Sequence, residues 1–354
     1  MKKAFTIIEL LVAMALLVIL VAISGVVFSA AVKAHRTAAA TTEVMARMRA
    51  VTEQLDMDFR GLRSDMPVAV WFEYDPVTRK RYDQIQFFAN GVFQSSRQWD
   101  YTKADTTIGT TVLEGNTARV YYGQANNVSI DIDLSKPEYK RTQARAYNGI
   151  VSDARSLGTQ QILARRCHLM TQLPMPGRIF PDTSAFATFF IPWYDKSLYG
   201  NDVFEYDNLS LADWKMILDD PARASHYILT CFNNRPGVDL SAADGQSLHM
   251  ILSQGVGSFA VQRAKWDSTT STYKWYPETT DFGASTQWGE YYYYKADTTY
   301  AYTSAFQSST SGWFHFTEPF TTSIRALKFT FTIYDSKGVF PDGKTFTHIV
   351  YLNN

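Results

Sequence analysis

The chain has 354 residues, 46% hydrophobic and 15% aromatic, which supplies one large core or two ordinary ones and excludes a disordered protein. Its 34 basic and 34 acidic side chains cancel, so no global charge draws it to nucleic acid or anionic lipid. Two cysteines, Cys167 and Cys231, are too few for a disulfide scaffold or a zinc site; a single bridge between them would stabilise an extracytoplasmic domain by about 4 kcal/mol, and two separate thiols are the alternative.

From Leu10 to Val32 there is no charge. A helix of about 23 residues crosses a hydrocarbon layer about 30 Å thick. Lys2 and Lys3 precede it, and the positive-inside rule keeps that end in the cytoplasm and sends everything after Lys33 to the far side. A secretory signal has a shorter apolar core; Ser24, Gly25, Ser29, Ala30 and Ala31 nevertheless offer small residues for such cleavage, the minor alternative. Periodicity then continues past the membrane boundary. Val44, Met48, Val51, Leu55, Phe59 and Leu62 recur at helical spacing, with Arg47, Arg49, Glu53, Gln54 and Arg60 on the other faces and no proline before Pro67. The pattern predicts one helix from about Phe5 to about Ser64, some 90 Å long, with its first half (5–34) in lipid and an amphipathic continuation (35–66) packed on a head, and with Gly25 and Gly61 as soft points.

Glu9 stands out within the apolar run. An unpaired charge in the bilayer costs at least about 2.5 kcal/mol. Lys2, Lys3, Ala4, Phe5, Thr6, Ile7, Ile8, Glu9 and Leu10, followed by that run, resemble the processing motif of type IV pilins and of the pseudopilins of type II secretion. The resemblance implies a leader of residues 1–4, a cut between Ala4 and Phe5 by a prepilin peptidase, methylation of the new amino terminus, and pairing of Glu9 with the Phe5 amine of an adjacent subunit. Ala4 stands where the family usually has glycine. Snorkelling of Glu9 to the cytoplasmic interface is the alternative.

After Pro67 short aromatic and β-branched segments alternate with turn residues. Val68–Tyr74 and Asp83–Phe88 flank a hairpin turn at Asp75–Thr78, and Asn90-Gly91 predicts a second turn into Val92–Gln94. Further strands are expected at Thr117–Tyr122, Val128–Leu134, Phe259–Ala264, Ala326–Tyr334 and Phe346–Leu352. The order of Gln86-Phe87-Phe88, Val120-Tyr121-Tyr122, Leu163–Arg166, Gly255–Gln262 and Leu327–Asp335 is similar to the layout of J-type pseudopilins and W-type minor pilins. That likeness implies an α+β fold: a long helix packed on antiparallel sheets, a head spanning 67–354, and a subunit at or near a fibre tip. Two stretches, near 135–159 and 173–250, exceed that layout and are read as insertions. Within the second, Ser210 and Asp213 form a capping-box pattern before a short helix carrying Leu211, Trp214, Ile217 and Leu218.

Gly338–Thr345 satisfies GxxxxGK[ST], but a phosphate loop must open a helix, and Phe346–Leu352 reads as a strand, so a hairpin turn is expected. The six histidines share no ligand spacing, and neither a metal nor a cofactor is implied. Asp131 with Asp133, Asp219 with Asp220, and Asp335 with Asp342 fit turns and caps better than calcium. Lys136, Lys140, Arg141, Arg145, Arg155, Arg165 and Arg166 form a basic stretch able to meet DNA, or a solvated face; Trp266, Trp275, Tyr276, Trp288 and Tyr291–Tyr294 offer stacking for sugars or another subunit, or core packing. The expectation is an assembly subunit rather than an enzyme. It would sit in the inner membrane with other pilins or pseudopilins and their assembly platform, with a tip-displayed DNA- or glycan-binding module as the competing reading.

Overall fold

A computed structural model describes residues 7–75, 79–99, 111–127, 161–170, 205–207, 210–218, 236–238, 248–267, 269–282, 287–292, 301–308, 312–319 and 324–352. Helix α1 (Ile7–Arg60) runs unbroken for 54 residues, about 81 Å at the standard rise. Within it the hydroxyls of Thr37, Thr41, Thr42 and Thr52 turn back onto carbonyls one turn earlier. It ends at Gly61, whose carbonyl accepts the Asn90 amide at 2.7 Å while Arg63 N–H reaches Phe88 O at 2.9 Å. A Cβ at residue 61 would lie 1.9 Å from the Asn90 oxygen, so this junction requires glycine.

The strands are β1 (Val68–Asp75), β2 (Lys80–Arg81), β3 (Gln84–Trp99), β4 (Thr111–Gln124), β5 (Asn126–Asn127), β6 (Ile162–Met170), β7 (Tyr206–Asp207), β8 (Gly237–Val238), β9 (Ile251–Gln254), β10 (Val256–Asp267), β11 (Thr272–Tyr276), β12 (Gln287–Tyr292), β13 (Ala301–Ser308), β14 (Gly312–Pro319), β15 (Ala326–Ile333) and β16 (Lys344–Tyr351). Helix α2 (Leu211–Leu218) lies between β7 and β8. Among the described residues they build a larger sheet in the order β14-β13-β12-β1-β3-β4-β6-β7, with β2 added to β1 and β9 to β6, and a smaller sheet in the order β11-β10-β15-β16. Pairing is antiparallel except for the short β5–β8 and β6–β7 contacts. The α+β architecture inferred from the sequence is the one observed.

The turn expected at Asn90-Gly91 is not formed. β3 runs straight through it, and the register against β4 slips between Asn90 and Phe93, so one extra residue is absorbed as a bulge. The sequence signal was a glycine freedom used for a bulge instead of a reversal. The expected capping box is present: Asp213 accepts the Ser210 amide at 2.7 Å, and the Ser210 hydroxyl accepts the Asp213 amide at 3.2 Å. Val128–Leu134, residues 135–159 and most of 173–250 lie outside the described residues.

One core joins the three layers. Val51, Leu55 and Phe59 of α1 meet Val70 and Phe72 of β1, Phe87 of β3, Val120 of β4, Phe259 of β10 and Phe329 of β15, all buried. Phe59 touches both sheets: its ring stacks on Phe87 at 4.2 Å and meets Phe329 at 5.5 Å.

Candidate functional site

The candidate site is the helix itself, with two surfaces of opposite character. Between Ile7 and Phe28 the apolar side chains point outward with none of the described head against them; Ile7 is 83% and Phe28 71% exposed. The helix is long and apolar enough to cross a membrane, with a window of mean hydropathy 3.1 none of which is buried within the protein. Glu9 lies at the start of this surface, within the first described turn of α1. Ala4 and Phe5 lie outside the described residues.

The second surface holds the head. Val44, Val51, Leu55 and Phe59 are buried, and Met48 and Leu62 are half-buried against the same core. Leu62 lies just past the helix end, bridged to Ala89 of β3. Polar groups fix the rotation and height of the helix along this seam. Nearest the apolar half, Glu43 accepts the amide and hydroxyl of Ser336 at 3.1 and 3.0 Å, and Arg47 donates to Tyr334 O at 2.8 Å. Further along, Asp56 lies 2.8 Å from His348 of β16.

Deepest of all is Asp58. It accepts two bonds from Arg165 of β6 at 2.6 and 2.7 Å, one from Gln54 at 3.2 Å, and the hydroxyl of Tyr122 of β4. A carboxylate so placed is stable only because every lone pair is engaged and the Arg165 fork is bidentate. Burial and the Asp58 charge push the Tyr122 phenol well above its ordinary range, so it remains a donor. Sequence reading missed this cluster. The available signal was Asp58 itself, an acid set between Leu55 and Phe59 on an otherwise apolar stripe.

A second buried pair ties the two sheets. Asp83 engages Arg81 and accepts the amides of Val261 at 2.7 Å and Glu73 at 3.0 Å, and Arg81 donates to Val261 O and Pro277 O. Burial outweighs these partners and raises the Asp83 carboxyl above its usual value.

Residues 335–343 connect β15 and β16, with Gly338 and Gly343 at positive φ, and a strand follows, not a helix. The phosphate-loop pattern is therefore a turn. Asp335 fills it from within, accepting the amides of Phe340, Val339 and Lys337; although burial works the other way, those donors hold its carboxyl below the ordinary range. Among the described residues no three His, Cys, Asp or Glu gather as metal ligands, and Asp131, Asp133, Asp219 and Asp220 lie outside them.

The basic stretch loses two members as a DNA-facing surface: Arg165 serves Asp58, and Arg166 is buried. Lys136, Lys140, Arg141, Arg145 and Arg155 lie outside the described residues. Of the aromatic group, Trp288 is buried, Trp275 and Tyr276 are half-buried beneath Lys328 and Arg263, Tyr291 and Tyr292 belong to β12, and Trp266 is exposed beside Tyr273. Cys167 is a free thiol that burial pushes up to about 12, and Cys231 lies outside the described residues.

With that geometry in view, comparison with known proteins bears on the exposed half of the helix. Residues 1–25 match the prokaryotic N-terminal methylation motif. The motif supports a type IV pilin- or pseudopilin-like subunit, processed by a prepilin peptidase and assembled with other pilins, and together with the apolar helix it is consistent with membrane anchoring. No curated protein and no solved structure matches the chain.

Proposed function

We propose that the chain is a minor pilin or J-type pseudopilin, a structural subunit of a type IV pilus or a type II secretion system. Residues 1–4 are its leader, residues 5–34 cross the inner membrane once, and the head lies outside the cytoplasm. The observation that carries this reading is the coincidence of the methylation motif with a helix whose first half, Glu9 apart, is apolar on every face and whose second half is amphipathic. In lipid the first half needs no protein partner, and the bond-forming capacity of Glu9 is then directed at the freed amine of Phe5 in a neighbouring subunit. The protein acts by assembly rather than by catalysis.

Mass spectrometry of the mature protein tests this directly. The expected amino terminus is N-methylated Phe5; Met1 retained, or a cut near Ala31, would overturn the reading.

A further inference from the structure

Between its apolar half and its head-bound half, α1 has a short neck. No charge occurs from Leu10 to Val32, and the next residues are Lys33, Ala34, His35 and Arg36. Ala40 is the first residue of α1 to be buried, and Glu43 meets Ser336 of the head just beyond it. Lys33 and Arg36 precede Ala40 by two turns and by one, so the three share one face of the helix, with the two cations on the membrane side of the head. Both side chains are exposed, and among the described residues neither makes a hydrogen bond or an ion pair.

Height along the helix says what these charges meet. At the standard rise the uncharged run covers about 35 Å, and a tilt in the ordinary range fits it to a hydrocarbon layer about 30 Å thick. Lys33 then stands at the outer boundary of that layer and Arg36 about 5 Å further out, among the headgroups. Helical side chains lean toward the amino terminus, which here is back toward the bilayer, so both long stems carry their charge to the depth of the lipid phosphates. The helix itself does not neutralise them. No acid occurs between Glu9 and Glu43, and Glu43 is taken by Arg47 at 2.6 Å and by the Ser336 amide at 3.1 Å.

We propose that Lys33 and Arg36 bind the phosphate of an anionic phospholipid in the extracytoplasmic leaflet, so that the unassembled subunit carries a lipid headgroup beneath its head; this rests on the membrane reading above. Arg36 offers a planar fork to two phosphate oxygens and Lys33 a point charge. A zwitterionic headgroup brings its own ammonium to compete with them, and an anionic one does not. A second copy of this chain fits the pair less well. Anchored at the same depth it brings the same two cations to this level, and the nearest acids on its helix, Glu9 and Glu43, lie about 10 Å or more away in height. Removal of residues 1–4 also takes Lys2 and Lys3, which leaves Lys33 and Arg36 as the lysine and arginine nearest the span in the mature chain.

Native mass spectrometry tests it on the protein purified from producing cells and placed in nanodiscs of an equal mixture of phosphatidylcholine and phosphatidylglycerol. The expected result is that phosphatidylglycerol stays bound on release in preference to phosphatidylcholine, and that this preference falls by about tenfold or more in Lys33→Gln combined with Arg36→Gln. Arg49→Gln combined with Arg60→Gln removes the same charge from exposed positions higher on α1 and should leave the preference intact, with the head's melt confirming the fold of each variant. Equal retention of the two lipids, a preference that survives loss of Lys33 and Arg36, an equal fall in both double variants, or a dimer without lipid overturns the proposal. Entry into the nanodiscs is read in the same preparation. A chain that stays out of them sinks the membrane reading and the lipid site together, whereas a chain that enters with methylated Phe5 and shows no preference sinks the lipid site alone.

Discussion

Residues 7–32 and 40–60 of α1 share one continuous helical backbone and contrast in everything that decides environment. Leu17 is 62% exposed and Val51 fully buried, although both are aliphatic residues of the same helix. Glu9 apart, the first stretch is hydrophobic all round, so no face is distinguished and none of the described head covers it. The second carries fewer apolar residues, but they recur on one side, and that side is the one the sheets cover. Periodicity, rather than hydrophobicity, selects burial against the head.

The contrast can be broken most severely at Phe59, where both sheets meet the helix. Phe59→Ala should cost the head about 3–5 kcal/mol. Leu17→Ala, which removes a comparable side chain from the other half, should leave the head's melt in detergent unchanged. Calorimetry or circular dichroism melts of the pair check both. Next comes Asp58→Ala, which strands Arg165 and Tyr122 beside the core; a loss of about 3 kcal/mol is expected, with most of it recovered if Arg165 is also replaced by methionine.

Glu9→Ala sharpens the same comparison from the other end. Co-purification with the assembled fibre or pseudopilus should fall by about tenfold or more while the head's melt stays put. Normal incorporation would detach Glu9 from assembly.

A smaller effect follows from His168 in β6. Burial, with Arg166 and Arg119 nearby, lowers its folded pKa well below the ordinary value, whereas in the unfolded chain it protonates near about 6.5. Below that pH the unfolded state binds the extra proton, so stability rises with pH across this window and falls on acidification. Melts at descending pH should show the decline, flattened in His168→Gln. The least change is expected at Cys167, whose raised pKa keeps it a thiol; alkylation near pH 8 should be slow in the native protein and fast after unfolding.

What the sequence disclosed and what it concealed divide along the range of the interactions. Helix α1, its stripe, the Ser210–Asp213 cap and the 335–343 turn are local, and each was legible from spacing and residue type. The bulge at Asn90-Gly91 was not, because a dipeptide that suits a turn also suits a bulge, and only β4 across the sheet decides between them. Arg165 and Arg166 looked like surface charge for a similar reason: the acid that claims Arg165 lies more than a hundred positions away, at Asp58. The division of strands into two sheets, with Arg81 and Asp83 as the tie, likewise has no near-neighbour signature.

Polar bonds hold α1 to the head at several heights along the seam, from Glu43 and Arg47 through Asp56 to Asp58. A pull applied along the helix is therefore shared among contacts spread over about four turns instead of falling on one. The head is thereby fastened in the manner of a lap joint, along a length of helix and not at a single point.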